Sequence, residues 1–172
     1  MKEFTSYLKC IREMTEPTEI EFFSEVADYV GANETIDMKR FGKFLKPYIK
    51  NFNRTWRWWP NTNYDPSKPF RPKLTNNTTL ATTKDLDVIE EMINGYDPDS
   101  QKYIVTEHSG KGVYLNAILK DALKTDLGKN DDYIRSMYRS YHDQEEVLMI
   151  PPYKKPKVIG YWDPQEQELE II

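Results

Sequence analysis

Lys39, Lys43, Lys46 and Lys50 recur at intervals of three and four residues, and Arg54, Trp56, Arg57, Trp58 and Trp59 follow closely. A row of ammonium groups leading into guanidinium groups set between indoles is chemistry suited to a polyanion. Lysine and arginine neutralise phosphates and release their counterions, while indole faces stack on bases. Arginine adds a planar fork that matches phosphate oxygens. From 39 to 73 the chain holds ten Lys or Arg and one acid, Asp65, although its formal net charge is −4. That asymmetry predicts an electrostatic surface. The expected nucleic-acid-binding residues are Lys39, Lys43, Lys46, Lys50, Arg54, Arg57, Trp58 and Trp59, with DNA or RNA as the partner.

Residues that could support catalysis are scattered instead of grouped. His108 and His142 are the only histidines, and neither has a second ligand at metal-binding spacing. Gly110-Lys111-Gly112 lacks the upstream glycine and the following Ser or Thr of a phosphate loop, so it predicts a turn. Asp97, Asp99 and Glu107 with Lys111 resemble a magnesium-nuclease set in residue types, but a glycine turn separates the acid from the lysine. The single cysteine, Cys10, has no histidine nearby and rules out an intrachain disulfide. A non-enzymatic protein is expected, with no catalytic residues, no metal and no cofactor.

Several elements must position these groups. Phe4, Tyr7, Leu8 and Ile11 mark an amphipathic helix over about 3–14, closed by Pro17. Thr18-Glu19-Ile20-Glu21 reads as a capping box opening a helix to about Val30. Asp37 is expected to cap a third helix whose apolar positions are Phe41, Phe44, Leu45, Tyr48, Ile49 and Phe52, kinked or split at Pro47. On that helix the four lysines fall within an arc of roughly 60°, opposite the apolar face. A short strand is predicted at 55–59 and a Pro/Asn/Thr-rich loop at 60–83. Thr82 or Thr83 then caps a helix running through Ile93, and a strand follows at 102–107. Helices around Leu115–Ala122 and Ile134–Tyr141 and a hairpin from 146 to 162 complete the chain.

The order helix, turn, amphipathic helix, basic strand is that of a winged helix-turn-helix. Residues 19–59, with Phe41-Gly42-x-x-Leu45 in the third helix, are similar to the winged-helix modules that end some phage-type primase-helicases, over about a quarter of the chain. The expected fold class is α+β: a helix-rich single domain, 1–172, with a winged-helix-like half at 1–59, the loop at 60–83, and a C-terminal helix pair with a small antiparallel sheet at 84–172. The function expected is that of a small nucleic-acid-binding accessory or regulatory protein of phage or mobile-element origin. The alternative is a protein-interaction factor, an inhibitor or assembly protein, using the acidic N-terminal helices or the Pro-rich loop. No apolar run approaches the roughly 18–20 residues that span a bilayer, and no secretory leader is evident, so a cytoplasmic address with no membrane partner is expected.

Overall fold

Pro47 decides the course of the chain after Asp37. Proline has no N–H to donate and its ring collides with a carbonyl four residues back, so a helix running from Asp37 to Phe52 cannot pass it intact. The computed structural model describes residues 16–32, 36–60, 70, 72, 79–96, 102–163, 166 and 168–172. In it the predicted third helix shrinks to a turn at 38–41, one α-turn at Gly42–Leu45 and a 3-10 turn at Lys46–Tyr48. From Ile49 the backbone is extended as far as Pro60, because the aromatic and β-branched residues beyond the proline favour strand. The strand predicted for 55–59 is thus the second half of a longer one.

Two compact units emerge, 1–48 with 117–140 and 49–116 with 141–172. In the first, helix α1 (Glu19–Ala32) starts at the predicted capping box. Thr18 Oγ1 accepts from the Glu21 N–H at 3.2 Å, and Glu21 Oε2 accepts from the Thr18 N–H at 2.9 Å. Helix α2 (Gly42–Leu45) buries Phe41 and Leu45. The Phe22 ring lies against Phe41, Phe44 and Tyr48 at centroid distances of 5.9, 5.7 and 6.3 Å. The apolar periodicity of 41–48 is therefore satisfied locally, without the long helix it predicted. The helix expected at 3–14 lies outside the described residues.

The second unit is one antiparallel sheet of six strands: β1 (Ile49–Pro60), β2 (Leu80–Thr83), β3 (Tyr103–Tyr114), β4 (Glu146–Met149), β5 (Lys157–Asp163) and β6 (Glu168–Ile171). Helix α3 (Asp87–Tyr96) covers one face, burying Ile89 and Ile93 against Tyr103, Val105, Ile159 and Trp162. β1 pairs with β3 along nearly its whole length, from Ile49↔Val113 to Pro60↔Tyr103. The other side of β3 is shared between β5, opposite its first half, and β4, opposite its last three residues. β4 pairs with β2, and β2 touches β1 at Trp56↔Thr83, so four strands close into a ring and β5–β6 extend it. Helices α4 (Leu115–Ala122), α5 (Asp126–Asn130) and α6 (Asp132–Tyr141) occupy the expected C-terminal helical region.

Three further expectations change. The hairpin from 146 to 162 is absent: β4 and β5 both pair with β3 and not with each other, and the C-terminal hairpin is β5–β6. Thr82 and Thr83 belong to β2, which ends the 60–83 loop early. Asp85 takes over at the following helix, its Oδ1 accepting from the Asp87 N–H at 3.1 Å. Gly110-Lys111-Gly112 is strand and not a turn. Gly110 sits at φ +143°, which side chains disfavour, and a Cβ on Gly112 would lie 2.9 Å from Val147 Cγ1 and 3.1 Å from the Leu148 carbonyl. Glycine thus lets β3 bend and lets β4 approach closely. Gly112→Ala should overpack this contact and destabilise the protein by about 1–3 kcal/mol in urea denaturation. A loss under about 0.5 kcal/mol, the range of ordinary surface changes, would refute the close-packing role.

Candidate nucleic-acid interface

The four lysines do not share a helix face. Lys39 is exposed in the turn that Asp37 organises, with Asp37 Oδ1 accepting from the Lys39 and Arg40 N–H groups. Lys43, on α2, is neutralised by Glu16 at 2.9 Å and lies 5.0 Å from the Phe44 ring centroid. That hydrogen bond and charge hold the Glu16 carboxyl below its usual range. Lys46 is exposed in the 3-10 turn, and Lys50 is exposed on β1 in the other unit. The expectation of one unneutralised ammonium face is corrected on two counts: the helix stops at Pro47, and Lys43 has a carboxylate. Among the described residues Lys39, Lys46 and Lys50 form no ion pair.

Alternation along β1 sorts the remaining expected residues. Trp56 and Trp58 pack toward the cluster under α3, with the Trp58 ring meeting Tyr103 edge-on at 5.1 Å. The Trp56 indole nitrogen is buried with no hydrogen-bond partner among the described residues, which marks that side chain as core filler. Arg54, beside it, pairs with Glu107 at 2.7 Å. That pair occupies the carboxylate that a nuclease-like arrangement would need. No group of three metal-ligating side chains occurs among the described residues. Arg57 and Trp59 face the other side of the strand. The Arg57 guanidinium lies 4.7 Å from the Trp59 ring centroid and donates to the Ala81 carbonyl at 2.7 Å, while Trp59 Nε1 donates to Thr106 Oγ1 at 2.8 Å. Arg57, Trp58 and Trp59 are each half-buried, and their described contacts tie strands together.

That same face holds the one strongly shifted histidine. His108 is buried, and its Nε2 is 2.8 Å from the Thr106 hydroxyl. Burial, and then the charge of Arg57, push its pKa down to about 4. Its ring joins the hydrogen-bonded group that links β1 to β3 through Trp59 and Thr106. At the strand ends Lys84 Nζ lies 2.6 Å from Glu145 Oε2 and 3.7 Å from the Tyr114 ring centroid. Burial alone would depress Lys84, but the hydrogen bond and charge of Glu145, together with Tyr114, outweigh it and raise the lysine. Glu145 stands at φ +50°, an unusual position for a residue with a side chain.

The sequence reading left the cations on β3 and on the segment after β4 out of the binding set. Lys111, Lys154, Lys155 and Lys157 are exposed and, like Lys50, form no ion pair among the described residues. Register brings several of them near one another. Lys50 pairs with Gly112 and Gly112 with Met149, so the β4–β5 connector starts two strand spacings from Lys50, about 10 Å away. The Ile150 N–H donates to the Lys111 carbonyl at 2.9 Å, which fixes where the connector departs. Lys154 and Lys155 follow within five residues. Nothing local in the sequence pointed to this grouping, because it depends on which strand neighbours which. Lys68, Arg71 and Lys73 lie outside the described residues. No helix among the described residues is long and apolar enough to cross a membrane. Compared with protein-family models, curated proteins and solved structures, the chain matches none of them.

Stability should depend on pH through His108. The unfolded imidazole gains its proton near pH 6.5, whereas the folded one refuses it until about pH 4, so the unfolded state binds more protons in between. Stability contributed by the neutral ring is fully present above about pH 6.5 and falls by something on the order of 3 kcal/mol as pH drops toward 4. Urea midpoints at pH 7.5, 6 and 5 should show this decline, and His108→Gln should flatten it. An equal slope in the variant would remove His108 from the account.

Proposed function

We propose that the protein is a nucleic-acid-binding accessory or regulatory factor that works by binding and contacts phosphate through its sheet unit. The observation that carries this is the set of lysines at one end of β3, Lys50 and Lys111 on opposite faces of the β1–β3 pair and Lys154 and Lys155 on the connector that leaves beside Lys111, all exposed and without ion pairs among the described residues. Their mutual repulsion is relieved when a polyanion replaces bound counterions. Lys39 and Lys46 add exposed charge in the helical unit. Arg54, Arg57, Trp58 and Trp59 support the strands that present these lysines. A winged-helix mode has little left to stand on, since the segment after Asp37 offers one α-turn where a groove-reading helix would be needed.

The reading as a protein-interaction factor is less favoured at three of the acidic residues described, while the helix expected at 3–14 lies outside the described residues. Glu16 is engaged by Lys43, Glu21 by Arg40 at 3.2 Å, and Glu25 accepts from the Asp37 N–H at 3.4 Å. The Pro-rich loop, its other proposed surface, falls mostly outside the described residues.

Titration of labelled DNA and RNA by anisotropy at low and moderate salt should show binding that weakens as salt rises. Replacing Lys50 and Lys111 with alanine should flatten the plot of log affinity against log salt by about 0.7–0.9 per lysine. Absence of binding at low salt would refute the proposal.

A further inference from the structure

Resting on that reading, we infer that the sheet unit takes single-stranded nucleic acid in preference to duplex, with unpaired bases on Phe52 and Tyr153 and phosphates on Lys50, Lys154 and Lys155. Phe52 and Tyr153 come from elements a hundred residues apart, yet both are half-buried against the same cluster of Leu80, Val147 and Met149. Phe52 pairs with Gly110, and Met149 follows across the same sheet, with Tyr153 Oη 3.5 Å from the Met149 carbonyl. The Met149 side chain covers Gly110 and Gly112, and the two aromatic rings pack on the cluster it belongs to. Lys50 lies two residues before Phe52 on the same face of β1, whereas Lys111 projects from the opposite face, and Lys154 and Lys155 directly follow Tyr153 in the chain.

Aromatic faces next to cations suit bases that are not already paired, since a duplex keeps its base faces stacked internally. The one long helix that belongs wholly to this unit is unsuited to a duplex groove. α3 begins with Asp87 and carries exposed Glu90 and Glu91, with exposed Asp85 just before it, and no basic residue stands in its last turn. The strand surface with its aromatic rings and cations therefore favours unpaired bases, while the unit's one long helix offers nothing that would read a duplex groove.

The test uses the full chain and short labelled oligo-dT, oligo-U and a duplex of equal length. Single strands should bind at least tenfold tighter than duplex, and the two oligomers distinguish a DNA from an RNA source. Phe52→Leu and Tyr153→Leu, which keep apolar bulk against Met149, should each weaken single-strand binding about fivefold or more while leaving the salt slope unchanged. Lys154→Ala with Lys155→Ala should reduce that slope by about 0.7 per lysine. Equal affinity for duplex, or aromatic variants within twofold of the parent, would overturn the inference while leaving phosphate binding intact. Loss of all binding at low salt would overturn both. Should a leucine variant fail to fold, photo-crosslinking of iodouracil-bearing oligomers to the unaltered protein decides. Adducts on Phe52 or Tyr153 support the inference, and adducts confined elsewhere refute it.

Discussion

β1 and β3, each twelve residues long, lie antiparallel and in register from end to end apart from one irregularity between Phe52 and Thr55. Because that pairing occupies one side of β3 completely, every other strand must find its place on what is left. The free side of β3 takes β5 at its first half and β4 at its last residues, and the interval between them opens opposite residues 108–111. The β4–β5 connector leaves the sheet at that interval. Its lysines sit beside β3 as a consequence of strand arithmetic, independent of any local preference.

Buried polar groups reinforce the same pairing. Trp59 on β1 and Thr106 on β3 share a hydrogen bond, Thr106 also reaches the Arg57 carbonyl at 3.2 Å, and His108 completes the chain. A buried polar group that loses its partner costs about 1–3 kcal/mol, so sliding β1 by one residue would break several contacts together and turn Trp59 outward. Arg57 belongs to this bracing. Its guanidinium covers one face of Trp59 and reaches β2 through the Ala81 carbonyl. An arginine held in this way contributes more to register than to a mobile phosphate contact.

How much of this was legible in the sequence depends on the range of the determinants. The capping box at Thr18 and the strand character of Thr55–Trp59 are local and were visible. The periodicity of Phe41, Phe44, Leu45, Tyr48, Ile49 and Phe52 matched a helix, but Phe41, Phe44 and Tyr48 pack with Phe22 while Phe52 joins the sheet cluster. A period shared between two elements looks continuous on paper, and only the proline hinted at the division. Gly110-Lys111-Gly112 was misread because glycine marks turns and also marks strands where another backbone approaches closely. The lysine grouping across β1, β3 and the connector was invisible, since register between segments a hundred residues apart leaves no trace in spacing.

Charge is sorted by the fold in a way composition could not reveal. Ion pairs take up Arg40, Lys43, Arg54 and Lys84, each with a carboxylate brought close by folding. Exposed pairs of this kind contribute little stability, about 0–1 kcal/mol each, so their larger effect is to remove those cations from the available surface. The ammonium groups left without ion pairs among the described residues then define where an anion can gain: in the sheet unit Lys50 and Lys111 lie near the last residues of β3, Lys157 opposite its middle and Lys102 at its start. With net charge −4 the molecule as a whole does not attract a polyanion, and long-range steering is screened beyond roughly 8–10 Å at physiological salt. Attraction must act at contact range. Under the proposed function, exposed lysines on a chain of net negative charge would act on phosphate at contact range and would not draw nucleic acid in from a distance.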